Sequence, residues 1–167
     1  MLSLGRKGGK IVKETNGTAS LYGTPASKNL VELIERSADE LTHQYLEDVK
    51  QHSHLPTYRA FDEKELYKRA YRVYSQLGKW ISQETTKEEI KSYWRDLGKQ
   101  RREEGFPLPE IILSLSMLRR HLWIKVQAEG LLDTALDLYQ AMELHNRVVT
   151  FFDRAIYYAA CGYEDKD

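Results

Sequence analysis

The side chains of this sequence best suited to ligation or proton transfer near neutral pH are its five histidines. His145 is the one polar residue in an otherwise apolar helical repeat. An imidazole there could ligate haem or a metal, sense pH, or fix the register of packed helices. A satisfied, partly exposed core histidine is the plainer reading, and it is preferred. His121 lies in Arg119-Arg120-His121-Leu122-Trp123, a run that could present a positive face to an anion or an acidic partner. A solvated helix face is the commoner meaning of such a run. His52-Ser53-His54 offers two imidazoles just before Pro56, short of the three or four ligands in defined geometry that metal sites need.

Other motifs carry less. Lys99-Gln100-Arg101-Arg102 is basic, but Glu103-Glu104 follow and supply local pairing. Gly5-Arg6-Lys7-Gly8-Gly9-Lys10 resembles a phosphate loop superficially, yet its glycine spacing is one residue out, no strand precedes it and no Ser/Thr follows. The protease, hydrolase and calcium-loop signatures are missing. Cys161 has no sequence partner that would make it a nucleophile. Eleven tyrosines and three tryptophans exceed what a minimal helical core requires. Tyr67, Tyr71 and Tyr74 recur at helical spacing, so a ligand pocket or partner surface competes with plain packing. Tyr71, Trp123, His121 and His145 are the candidate ligand or cofactor contacts. No catalytic constellation and no metal site emerges, and the expectation is a protein that is not an enzyme.

Composition bounds the elements that hold these residues. With 25 basic and 25 acidic residues the chain has no net charge, which argues against nucleic acid as a partner. No stretch approaches the ~20 apolar residues of a membrane span. The start lacks the apolar core of a signal peptide, and the single cysteine allows no internal disulfide. A cytoplasmic protein without membrane insertion is expected. Residues 1–27 hold half of the glycines with several lysines and read as a flexible basic tail; Asn16-Gly17 offers a weak alternative, a short hairpin. Residues 28–167 read as one helical domain.

Within that domain the apolar period is helical throughout. Leu30, Ile34, Ala38, Leu41, Tyr45 and Val49 define a first helix that fails before Pro56. Asp62 and Glu65 start a second, carrying Leu66, Ala70, Val73, Leu77 and Trp80-Ile81. Thr86 and Glu89 form a capping box for a third, with Ile90, Tyr93-Trp94 and Leu97, ending near Gly105. Phe106-Pro107-Leu108-Pro109 is a sharp break. A fourth helix then carries Ile111-Ile112, Leu115, Leu118, Leu122 and Val126 as far as Gly130. The fifth runs from about Leu131 to Gly162, where glycine suits a C-terminal cap. The expected fold is all-α: a single five-helix bundle with a long C-terminal helix.

One register of that last helix places Ala135, Leu138, Met142, His145, Val149, Phe152, Ile156 and Ala159 at alternating spacings of three and four. Such a seven-residue repeat makes a seam of the coiled-coil type. Leu132, Leu136, Tyr139 and Leu144 add a second apolar edge. At about 1.5 Å per residue the helix approaches 45 Å, longer than a compact core of this size needs. A homodimer packed along this seam is therefore expected, against the alternative of a central helix in a monomeric bundle.

Four segments together resemble a known family: Tyr71-Arg72-Val73-Tyr74-Ser75-Gln76-Leu77-Gly78-Lys79-Trp80, Leu97-Gly98-Lys99-Gln100-Arg101-Arg102, Gly105-Phe106-Pro107-Leu108-Pro109-Glu110 leading into Leu118–Trp123, and Phe151–Ala160. The chain resembles the RsbT co-antagonist (RsbR-type) N-terminal domains of bacterial stress-response regulators and sensor kinases over roughly residues 30–163. The resemblance implies a sensory input module, dimeric through long helices, that passes a signal to a domain attached after the last helix. It carries no catalytic residues over. Related sensors are similar to globins that have lost haem, so a globin-like haem or cofactor sensor is the rival expectation; no cofactor is the preferred one. Since the sequence ends at Asp167 without an output domain, the expectation is action in trans on a protein partner, or as a stand-alone sensor or adaptor.

Overall fold

The computed structural model describes residues 25–82, 85–130 and 132–165. They form eight helices and no strand: α1 (Pro25–Arg36), α2 (Ala38–Gln51), α3 (Pro56–Ala60), α4 (Glu63–Ser75), α5 (Leu77–Ile81), α6 (Lys87–Glu103), α7 (Leu108–Ala128) and α8 (Ala135–Glu164). The all-α class agrees with the sequence. The five expected helices become eight because two are interrupted and one short helix is added. No described helix is long and apolar enough to cross a membrane.

The first interruption is Ser37, between α1 and α2. Its amide bonds both Leu33 O (3.0 Å) and Ile34 O (3.1 Å), and its carbonyl accepts from Leu41 N at 2.9 Å. Hydrogen bonding thus passes through the kink, and the apolar stripe from Leu30 to Val49 is buried along its whole length. The second is Gln76, at φ −120° and ψ 22°. The amide of Gly78 in the new first turn is satisfied by the Glu35 carboxylate of α1 at 2.8 Å. Pro56 starts α3, where a missing N–H costs nothing. The buried Glu110 of α7 accepts from Thr57 N at 3.0 Å and Tyr58 N at 3.3 Å, capping that short helix from outside its own sequence.

Local signals set the other ends. Asp62 Oδ1 accepts from Glu65 N at 2.8 Å. Thr86 and Glu89 make the reciprocal capping box expected of them. A second box, Thr134 with Asp137, starts α8 at Ala135. α6 closes with Phe106 N bonded to Arg101 O (2.9 Å) and Gly105 N to Arg102 O (3.0 Å), with Gly105 at φ 83°. That pairing is a Schellman motif, and it needs the glycine.

α8 packs most extensively on α6, α4 packs on α2, and α7 touches both α2 and α8. The α6–α8 crossing is a backbone contact. A Cβ on Gly98 would lie 2.0 Å from Ala159 O, and one on Gly162 would lie 2.0 Å from Arg95 O. Gly162 is therefore not the expected cap; α8 runs two residues further, to Glu164, and the glycine admits the neighbouring helix. Around the crossing an aromatic cluster joins Trp80, Tyr93, Trp94 and Phe151, with ring centroids 4.8–6.1 Å apart. The expected tail over residues 1–27, including the loop-like glycines and Asn16-Gly17, lies outside the described residues up to position 24, and α1 begins at Pro25.

Candidate functional site

The residues α8 turns inward are Ala141, Leu144, Val148, Phe151, Phe152, Ala155, Ala159 and Gly162. This register is set by α6, through the glycine crossing, and by α7. The outward face is the one that carries the anticipated seam. Leu138 and Met142, with Leu136 and Tyr139 beside them, are between 52% and 67% exposed. Ala135 and His145 are also exposed, and Val149 and Ile156 are half-buried. Phe152 and Ala159 are buried inside the protomer, so the seam as read from the sequence narrows to Ala135–Val149 with a marginal contribution from Ile156. Ile124 of α7, 43% exposed, extends the apolar surface sideways. A contiguous exposed apolar patch on one face of a helix pair marks an interaction surface far more often than scattered exposed residues do.

His145 borders this face. Its ring lies 4.8 Å from the Trp123 ring, beside a shallow groove that also takes in Arg119, Arg120 and Ile124. Arg119 is engaged by Asp153 at 2.9 Å. His121 points the other way, into the core. Its ring stands edge-on to Tyr45, and its Nε2 is 2.9 Å from an Asp48 oxygen, an approach whose direction falls short of a hydrogen bond. These are the surroundings of a packed core histidine and lend no support to the haem reading. Tyr71 is on the surface of α4, stacked on Tyr67 at 5.8 Å. Of its row only Tyr74 enters the core, where it donates to Leu118 O at 2.9 Å and burial pushes its pKa well above the ordinary value. The four candidate contacts His121, His145, Tyr71 and Trp123 do not converge on one site; only His145 and Trp123 meet.

A different set converges. Tyr45 of α2 and Ser114 of α7 share a 2.6 Å hydrogen bond, and Tyr58 of α3 and Arg101 of α6 face the same space between the helices. Arg101 is buried, although its neighbours Lys99 and Arg102 are only partly so. Its Nη1 donates to Glu104 at 3.0 Å, and Arg69 of α4 clasps the same carboxylate through two nitrogens at 2.9 and 2.7 Å. Burial pushes the Glu104 carboxyl up, but the two guanidinium groups more than offset this and hold it below its ordinary range. The signal was present in the sequence. Ile90, Trp94, Leu97 and Arg101 share the three-and-four spacing, so Arg101 continues the apolar stripe of α6. A basic residue on a core stripe is a stronger pointer than a basic run.

Against known proteins, the family model of the RsbT co-antagonist protein rsbRD N-terminal domain matches residues 32–166, from the middle of α1 through the whole of α8. No curated protein and no solved structure matches the chain. The kinked first helix, the Gly105–Pro109 corner and the long final helix all fall within the matched span. The chain belongs to the RsbT co-antagonist N-terminal domain family, a family of regulatory domains in bacterial stress signalling.

Proposed function

We propose that this domain works as a homodimer assembled through the outward face of α8 and the adjoining surface of α7, and that it relays a signal to a protein partner without catalysis. The observation that carries this reading is the exposed group Leu138, Tyr139 and Met142, flanked by Leu136, on a helix of 30 residues whose opposite face is already filled. Leaving those side chains in water forgoes roughly 25 cal/mol per Å² of apolar area, which a second copy recovers. A two-fold pair also suits a helix surface, since one patch then serves both partners. Membership of a regulatory family supports the signalling role, and partner exchange in such pathways supports a protein partner.

Sedimentation velocity at tens of micromolar tests the assembly. Wild type is expected to sediment as a dimer. Leu138→Asp and Met142→Asp are expected to give monomers with an unchanged helical circular dichroism spectrum, because neither side chain belongs to the protomer core. A monomeric wild type, or a dimer that survives both substitutions, rules out this surface.

A further inference from the structure

α4 packs on α2 and α6 packs on α8, and the space between α4 and α6 is not closed by side chains. It holds a cavity of about 350 Å³, within the range of small-molecule sites. One end is polar, formed by Arg101, Tyr58, Tyr45 and Ser114; the walls are apolar, with Leu66, Val73, Ile111, Leu115 and the Trp94 ring. Exposed Lys68, Arg72, Asp96 and Gln100 stand at its mouth.

The charge at the polar end does not balance. Glu104 is one carboxylate shared by two guanidinium groups, Arg69 and Arg101. A guanidinium carries five N–H donors in a fixed fork. Glu104 accepts from one nitrogen of the Arg101 fork, and the cation also sits 5.7 Å from the Phe106 ring. No further protein acceptor among the described residues meets it. A buried cation without full compensation is costly in a core, and apolar residues would pack there more favourably. The Tyr45–Ser114 hydrogen bond uses one hydroxyl proton of that pair, which leaves the other and the Tyr58 hydroxyl able to donate to an anion. Arginine pairs with carboxylates in the planar, two-pronged geometry that its fork matches.

We infer that this cavity is a binding site for a small organic carboxylate, its head group held by Arg101, Tyr58 and Ser114 and its apolar body against Leu66, Val73 and Trp94. The site gives the regulatory reading above its ligand class, and rests on that reading for its physiological role only. The apolar walls select an organic acid over an inorganic anion, and the volume suits a body of about ten heavy atoms.

Hexanoate and benzoate are the probes, titrated into the full chain by calorimetry and by tryptophan fluorescence, with hexanol and inorganic phosphate as comparisons. Saturable binding of one acid per chain is expected, with hexanol and phosphate at least about tenfold weaker. Arg101→Met is expected to weaken the acids by at least about tenfold through loss of the charge-assisted pair. Tyr58→Phe and Ser114→Ala keep the shape of the site and are expected to weaken binding several-fold, so the test stands even if the arginine variant does not fold. Absence of saturation by either acid at about 20 mM overturns the inference. Equal binding of hexanol, tighter binding of phosphate, or indifference to Tyr58→Phe and Ser114→Ala does so too. The two proposals fail separately: a monomer that still binds hexanoate defeats only the assembly, and a dimer that binds neither acid defeats only the site.

Discussion

Replacing Gly162 by alanine pits two effects of opposite sign against each other. An alanine in an ordinary helix interior is more favourable than glycine by about 0.8–1.0 kcal/mol, so propensity alone predicts stabilisation. At Gly162 the added Cβ would lie 2.0 Å from Arg95 O and 2.6 Å from Arg95 C and Cα. All three are backbone atoms, so no rotamer change relieves the clash. Restoring ordinary van der Waals contact requires the α6–α8 crossing to open by about 1.4 Å, and neighbouring aromatic contacts loosen with it. Overpacking costs about 1–3 kcal/mol, and with only backbone atoms at the clash the upper part of that range applies, about 2–3 kcal/mol, which leaves a net loss of about 1–2 kcal/mol after the propensity gain. For a domain of this size that lowers Tm by about 2–8 °C. Gly98→Ala, with its Cβ 2.0 Å from Ala159 O, is expected to behave alike. The double variant should cost less than the sum, because one opening of the crossing admits both methyl groups. The assay is thermal and urea unfolding at one fixed protein concentration, since association contributes to Tm. A Tm that rises in Gly162→Ala, as for an uncrowded helical glycine, would refute the close crossing and with it the inward register assigned to α8.

Three further outcomes are expected. Glu110→Ala removes the acceptor of the Thr57 and Tyr58 amides and of Thr57 Oγ1, and should destabilise the fold by about 1–3 kcal/mol in urea unfolding, with Glu110→Gln less affected; a change within error would mean water caps α3 equally well. The Glu104 carboxyl is held below its ordinary value of 4.5, so its contribution is fully present above that pH and is lost as pH falls through the lower folded value; Glu104→Gln should flatten the acid side of the stability profile below about pH 4.5, and an unchanged slope there counts against the shared pairing with Arg69 and Arg101. His145→Leu, on the outward face beside Trp123, should tighten dimerisation in sedimentation equilibrium, and a weaker or unaltered association removes His145 from the contact.

The legible part of the fold was what hydrophobic period and local capping specify. Thr86 with Glu89 started α6 where the capping box placed it, and Gly105 with Pro107 and Pro109 made the corner before α7. Every residue of the first predicted stripe, Leu30 to Val49, is buried. Ser37 went unseen because hydrogen bonds and the apolar period both continue across it, so no local break exists to read. The short α3 depends on Glu110, which is more than fifty residues away in sequence. Gly162 read as a cap because the reason for it, as for Gly98, is a second backbone, absent from any local window. Ile112, grouped with the inward residues, is exposed because its neighbour Ile111 takes the core position.

The same argument accounts for the register of α8. Leu138, Met142, His145, Val149 and Phe152 follow one three-and-four pattern; Ala141, Leu144, Val148 and Phe151 follow another, offset by one position. Both satisfy a seven-residue repeat, so period alone cannot rank them. Glycine decides between them. Both pass close to Ala159, but only the second leads through Ala155 to Gly162, where α6 approaches closely enough that a side chain is excluded. Commitment to α6 is thus strongest at the C-terminal end of α8, and the exposed apolar residues gather toward its N-terminal half. Over that half the outward face is apolar as well as the inward one; over the remainder the outward face is mostly polar, with Asp153 and Arg154 exposed and Tyr157 the apolar exception. The outward surface available to a second copy accordingly centres on Leu138 and Met142 and fades by Ile156, which makes those two positions the decisive ones to substitute.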